Sequence, residues 1–301
     1  MADGGATSFA LEPSGPFDLA DQARRFGGWP PLEAEPDAMV MAFPIEGSEE
    51  AAAIVLRQDG GGVTGAVHGC PDSLAEVAWR QALAALSLDA DGSGWPGVGG
   101  RDPVMGGLQE KYGHLRPSMF HSPYEAAAGF VIGHRISIKQ ARALRTRVAE
   151  EFGTRIDVGG ESFAAFPTPG QLVAAGPLPS ISALKVERLH AIAAAAQEGW
   201  LERGVLRDLP EDEAIERLLT LPGVGPFFAR GILYRGAGLV DALTEDDLTR
   251  YAAAHAYGRG ETVSVDELRE IAEAWRPYRM WAVVLLHVWV RNEVGMPSRR
   301  R

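Results

Sequence analysis

The residues able to do chemistry in this 301-residue chain are few and lie mostly in its second half. Leu219-Thr220-Leu221-Pro222-Gly223-Val224-Gly225-Pro226 separates two stretches of helical periodicity. Glycines on either side of Val224 let the backbone turn tightly and bring N–H groups at the start of the next helix within reach of an anion such as a phosphate. The same residues also suit an ordinary corner between helices, because Gly-Val-Gly alone is a weak signal. Downstream, Asp246-Asp247 opens a helical stretch, which fits an N-cap followed by a first-turn carboxylate. Asp241 and Glu245 stand close by. Phe227, two residues after Gly225, offers either a ring for stacking on a flat ligand or one more core side chain. His114, His121, His190, His255 and His287 show no metal-ligand spacing. Gly60-Gly61-Gly62 has no nucleotide-loop context and reads as a hairpin turn.

Composition narrows the classes. With 46% hydrophobic and 23% charged residues the chain is globular rather than disordered or fibrous. Its longest apolar run, residues 281–290, is interrupted by His287 and too short to span a bilayer, and the amino terminus does not read as a signal peptide. A single cysteine, Cys70, excludes an internal disulfide and any four-cysteine metal site, and a reducing cytoplasm is the expected compartment. The net charge of −11 argues against gripping nucleic acid mainly by counterion release. Phosphate binding would have to rest on backbone N–H groups, helix termini and locally placed arginines. The terminal Arg299-Arg300-Arg301 reads as a solvated tail.

The elements that must position these residues follow from periodicity. Residues 1–35 are rich in Gly, Pro and acids and are expected to be loop or frayed end, apart from a short helix at 19–26. Residues 38–43 and 52–58 read as strands, and Asp59-Gly60-Gly61-Gly62 supplies the reversal into a third at 63–68. A helix over 73–88 follows, with Asp72 as its expected cap. The Gly- and Pro-rich stretch 89–103 is the expected domain boundary. Beyond it the pattern is helical at 123–133, 138–152, 170–175, 183–197, 211–219, 226–235, 247–257, 265–274 and 279–292. Caps are expected at Ser122, at Ser180 or Ser182, and at Ser264. This predicts an α+β amino-terminal domain over residues 1–95, an antiparallel sheet plus helix, followed by an all-α domain over 96–301.

Three blocks in order carry a resemblance to a known family. Leu221-Pro222-Gly223-Val224-Gly225, followed by Arg235-Gly236 and by Asp241 and Asp247, resembles the signature of the helix-hairpin-helix DNA glycosylases. Pro123-Tyr124-Glu125 through Val131-Ile132-Gly133-His134-Arg135-Ile136-Ser137 resembles the family segment that normally carries Gly-Gln-Gln before Ile/Val-Ser. Trp275-Arg276-Pro277-Tyr278-Arg279 through Leu286-His287-Val288-Trp289 resembles its last helices. The resemblance covers about residues 104–293 and is closest to the bacterial 3-methyladenine DNA glycosylase II branch, which also carries an amino-terminal α+β domain.

That resemblance implies an all-α helix-hairpin-helix glycosylase domain and a monofunctional enzyme of base excision repair. It would flip out and hydrolyse N-alkylated purines in double-stranded DNA, as a monomer, with no metal and no cofactor; a monovalent cation at the hairpin is compatible with the family. Asp247 falls at the position of the catalytic carboxylate, which stabilises an oxocarbenium-like sugar or activates water. Asp246 cannot share its face, and Glu245 and Asp241 are the substitutes. Phe227 takes the place of the Schiff-base lysine of bifunctional relatives and offers an electron-rich ring to a cationic base. Trp289 and His134 would complete the base pocket between the two helical halves, although Trp281, Leu285, Val288 and Trp289 are also spaced as a core stripe. Arg135 stands where the family wedges a side chain into the vacated base stack. Leu221, Gly223, Val224, Gly225 and Arg135 are the implied DNA contacts. The departures at His134, Arg135 and Phe227-Phe228, with an insertion-like segment at 257–265, leave the lesion open. They also leave two alternatives: a lesion-binding module without catalysis, and a helical interaction protein that uses the hairpin only for packing.

Overall fold

The computed structural model describes residues 6–27 and 29–296, so the Arg299-Arg300-Arg301 tail lies outside the described residues. Four strands, β1 (Thr7–Leu11), β2 (Met39–Pro44), β3 (Ala51–Asp59) and β4 (Gly62–His68), pair antiparallel in the order β1-β4-β3-β2. Asp59 pairs with Gly62 across a two-residue turn in which Gly60 and Gly61 have φ of 58° and 105°. Such a tight hairpin needs positive φ, which glycine adopts without steric cost. Residues 51–56 of β3 are all buried, so this strand reads as a continuous apolar run covered on both faces. One face joins Val40, Ala53 and Val55 to Ile156 and Val158 of a small ribbon, β5 (Arg155–Val158) and β6 (Glu161–Ala164). On the opposite face, Trp79 of the helix Asp72–Ala85 lies against Gly65, the partner of Leu56.

Several elements depart from the periodicity, each for a local reason. β1 lies within the amino-terminal stretch expected to be loop; five residues alternating in burial are too short to register a period, and pairing with β4 creates the strand. The ribbon β5–β6 corrects the expectation of an all-α second part. Each of its strands has four residues, and only the turn glycines Gly159 and Gly160, at φ 60° and 88°, signal it. The expected boundary loop at 89–103 contains a whole helix, Pro96–Arg101, and leads straight into another, Pro103–Tyr112. In both, the proline sits in the first turn, where no backbone N–H is needed. Asp72 is the first helical residue rather than the cap, and its carboxylate accepts the Thr7 hydroxyl at 3.0 Å. The pattern over 226–235 is α-helical only through Pro226–Ile232 and continues as a π-helical turn, Leu233–Gly238.

The chain divides into two compact units, neither continuous in sequence. The first contains Ala23–Asp89 and Ser118–Gly238; the second contains Pro13–Gln22, Ala90–Pro117 and the chain from Leu239 onward. One boundary falls at Asp89, inside the stretch expected to divide the chain, but residues 118–238 belong with the sheet rather than with the remaining helices. The reason is burial: the apolar face of β2 and β3 is completed by Ile156, Val158 and Ala165, side chains from far downstream. No described helix is long and apolar enough to cross a membrane.

In the second unit, the helix Asp247–Ala256 is anchored at its carboxy-terminal end by Asp102. The Asp102 side chain accepts from the N–H groups of Val104 and Met105 at 3.0 and 3.1 Å, and so caps the Pro103–Tyr112 helix. Its second oxygen accepts from the Trp275 indole at 3.1 Å and from the Tyr257 hydroxyl, which closes the Asp247 helix. Burial and that bond to a carboxylate push the Tyr257 phenol far above its usual range. Asp102→Ala would leave these buried donors unsatisfied, with an expected loss of about 2–4 kcal/mol of stability. Asp102→Asn, which keeps an acceptor for the cap, is expected to lose less. Urea unfolding of the three proteins checks the order, and equal midpoints would remove Asp102 from this role.

Candidate functional site

Local sequence decides where the Asp247 helix begins. Asp246 is its N-cap, extended at φ −72° and ψ 166°, and its side chain accepts the Thr249 N–H at 2.9 Å. The Thr249 hydroxyl, fully buried, bonds to His287 Nε2 at 2.9 Å and Thr244 Oγ1 at 3.1 Å, which ties the first turn to the helix Arg279–Trp289. Asp247 is therefore the first helical residue, with its side chain fully exposed and a single 3.4 Å approach to Arg250 Nη1. The neighbouring carboxylates are committed elsewhere. Asp241 binds Arg276 at 2.6 Å and Arg279 at 2.9 Å, and both oxygens of Glu245 take Arg269. Of the four acids that the sequence offers, Asp247 is the one without a structural task.

Trp289 stands one helical turn before Glu293 and is half-buried. Trp281, Leu285 and Val288 on the same helix are buried. The core stripe thus accounts for three of the four expected residues and leaves Trp289 partly open. Asp247 and Trp289 both belong to the second unit; the remaining candidates belong to the first.

In the first unit, the turn between Glu211–Leu219 and Pro226–Ile232 buries the side chains of Leu221 and Val224 and exposes Gly223 and Gly225. The Val224 N–H is spent on the Leu221 carbonyl at 3.1 Å, whereas those of Gly223 and Gly225 have no backbone acceptor among the described residues. Leu221 and Val224 can therefore offer a ligand little beyond the turn they hold. The glycines differ from each other. Gly223 has φ +82°, and an added Cβ would stand 2.5 Å from Arg188 Cδ. Gly225 is extended at φ −100°, with nothing within 4 Å of an added Cβ.

Beside this turn lies an aromatic cluster. Phe227 is 69% exposed, so it is not core. It meets Phe130 edge-on at 6.4 Å; Phe130 in turn lies 5.2 Å from Phe228, and His134 meets Phe228 edge-on at 5.5 Å. Sequence reasoning missed Phe130. The available signal was Gly231, a glycine inside a helix, where it costs about 1 kcal/mol relative to alanine. An added Cβ there would stand 2.3 Å from Phe130 Cζ, so the bare backbone at Gly231 makes room for that ring.

Arg135 is exposed and has φ +61°, a left-handed conformation that is strained for a side-chain-bearing residue. The strain is held from both sides. Lys185 Nζ donates to the carbonyls of Ile132 and His134 at 2.8 and 2.9 Å, closing the helix Pro123–Gly133. Ser137 and Gln140 form a capping box that opens Ile138–Phe152. Burial, and then Arg188, pull the Lys185 ammonium below its usual range. Lys185 is a second residue that periodicity alone does not single out.

The local charge differs from that of the whole chain. Residues 126–149 contain Arg135, Lys139, Arg142, Arg145 and Arg147 and no acid, and residues 217–240 contain Arg217, Arg230 and Arg235 and no acid. All eight of these cations lie in the first unit. Among the described residues there is no His, Cys, Asp or Glu group arranged to hold a metal ion.

No family model matches the chain. Among curated proteins, it is 31% identical over 195 residues to DNA-3-methyladenine glycosylase 2 of Escherichia coli (strain K12), a match covering 62% of this chain and 65% of that protein. It is 24% identical over 206 residues to DNA-3-methyladenine glycosylase of Bacillus subtilis (strain 168), covering 67% and 68%. The match thus spans slightly less than two thirds of the Escherichia coli relative. Among solved structures, the 3-methyladenine DNA-glycosylase from Archaeoglobus fulgidus shares the fold, with a TM-score of 0.77 at 24% identity over 94% of this chain and 99% of that one.

The contrast between the two glycines gives a test. Gly223→Ala is expected to lose about 1–3 kcal/mol through its left-handed backbone alone. Gly225→Ala should unfold at the wild-type temperature, since its backbone and surroundings accept a methyl group. Thermal unfolding of the two variants checks the contrast, and equal losses would mean that both glycines answer to the same backbone constraint.

Proposed function

We propose that the chain is a helix-hairpin-helix DNA glycosylase of the 3-methyladenine DNA glycosylase II branch, and that it excises N-alkylated purine bases from double-stranded DNA as a monofunctional N-glycosyl hydrolase. The observation that carries this reading is Asp247, a carboxylate at the first position of a helix fixed at both ends, with every acidic neighbour already paired. An alkylated purine carries positive charge, so the bond between its nitrogen and the sugar C1′ breaks with the electron pair leaving on the base, which departs neutral. Positive charge then develops on the sugar. A carboxylate held near C1′ stabilises that charge, and water adds to C1′ with loss of a proton. The Asp247 side chain has no partner stronger than the exposed contact with Arg250, so little has to be displaced before it serves this purpose.

Base extrusion is the work of the first unit. The exposed ring of Phe227, with Phe130 and Phe228 around it, offers π faces to a flat cationic base. Arg135, presented by a backbone held in place by Lys185, is suited to fill the vacated stack and donate to the orphaned partner base. The hairpin amides and the acid-free basic stretches hold the phosphates, which accommodates a chain of net charge −11. A lesion-binding module without catalysis shares all of this except the demand on Asp247.

Asp247→Asn is therefore the deciding substitution. It is expected to abolish base release from alkylated duplex, with folding and lesion-DNA affinity within a few-fold of wild type. A residual rate above about one tenth of wild type, an effect smaller than roughly 1.4 kcal/mol, would remove Asp247 from the catalytic role. Phe227 cannot form a Schiff base, so borohydride added during turnover should trap no covalent protein–DNA adduct. An adduct seen on denaturing gels would show that another amine attacks the sugar and that the enzyme also cuts the strand.

A further inference from the structure

The helix Ala183–Gln197 carries two cations one turn apart, and only one of them is used. Lys185 spends its ammonium on the carbonyls of Ile132 and His134. Arg188 has no hydrogen bond and no ion pair with any described residue, yet its position is defined. A Cβ added to Gly223 would stand 2.5 Å from Arg188 Cδ, 2.6 Å from Nε and 2.9 Å from Cζ, so the head of the side chain rests on the bare backbone of the hairpin turn. Any residue but glycine at 223 would push it away.

What gathers at this point is a set of donors without an acceptor. The Gly223 and Gly225 N–H groups lack backbone acceptors among the described residues, Arg188 brings a planar fork of N–H groups, and residues 217–240 contain no carboxylate to compete for them. A half-buried guanidinium normally finds a carboxylate or a carbonyl. An anion with several oxygens and a fixed charge satisfies these donors together, and a phosphodiester is such an anion.

We propose that Arg188 is a side-chain phosphate ligand of the hairpin, so that one backbone phosphate of the DNA is held jointly by its guanidinium and the Gly223 and Gly225 amides. This rests on the DNA-binding reading above and deepens it, by naming the residue that supplies positive charge at a turn whose own residues have none. Because a phosphate carries no sequence information, Arg188 contributes equally to damaged and undamaged duplex.

The test compares wild type, Arg188→Gln and Arg188→Lys by fluorescence anisotropy on an undamaged duplex and on one carrying an abasic-site analogue, across a series of salt concentrations. Arg188→Gln should weaken binding to both duplexes by the same factor, ~5- to 10-fold at low salt, and reduce the slope of log affinity against log salt by about one. Arg188→Lys should keep the wild-type slope while losing part of the affinity, since an ammonium retains the charge but not the fork. Unfolding temperature should not change, because no partner within the protein is lost. Unchanged affinity and slope in Arg188→Gln, a loss confined to the abasic duplex, or a lowered unfolding temperature would each overturn the assignment of Arg188. A wild type that binds neither duplex would instead overturn the glycosylase reading, and this one with it.

Discussion

The hydrogen bond from the Thr249 N–H to the Asp246 side chain fixes where a helix starts, and with it which of two adjacent carboxylates is left exposed. If the helix began one residue later, Asp247 would be the cap and Asp246 would lie outside it. The register is enforced from three directions. Thr249 is buried and bonded to His287, Arg250 donates to the Val263 carbonyl at 2.7 Å, and Tyr257 ends the helix on Asp102. These contacts come from segments far apart in the chain, so the exposure of Asp247 is a tertiary result obtained through a local cap.

Charge is handled in the same economical way. A chain of net charge −11 would repel a polyanion if its acids were spread evenly. Instead, many carboxylates are tied to arginines, as Asp241 is to Arg276 and Arg279 and Glu245 to Arg269, while the hairpin and the helix Ile138–Phe152 lie in stretches with few acids or none. Arg145, in that helix, packs over Phe120 at 5.0 Å and pairs with Glu125 at 3.7 Å, so even this region spends part of its charge on packing. Net charge is a property of the whole surface, and anion binding depends on the few ångströms around a donor.

The aromatic cluster shows how glycine and aromatic positions are coupled. Gly231 has no turn to make and no positive φ; its value is the space it leaves for Phe130. Gly223 has two reasons to be glycine, its backbone and Arg188, whereas Gly225 has neither, since its backbone is extended and its surroundings are open. Identical letters two residues apart therefore answer to different constraints, and only the folded structure tells them apart.

By itself the sequence determined whatever depends on neighbours along the chain. The Gly60-Gly61 hairpin, the caps at Ser122 and Ser264 and the start of a helix at Asp247 are short-range consequences of backbone geometry and hydrogen-bonding side chains. The order of three motifs along the chain pointed to the family for the same reason, since motifs are read in sequence. Tertiary structure alone decided the rest. It made strands of β1, β5 and β6, whose four or five residues are too few to carry a period, and it joined residues 118–238 to the sheet by completing the burial of β2 and β3. It also set the exposure of Phe227, the burial of Leu221 and Val224, and the placing of Lys185 and Arg188 beside segments about fifty and thirty-five residues away. Those outcomes depend on which distant side chains fill a given volume or meet a given polar group, and no periodicity in one segment records the shape of another.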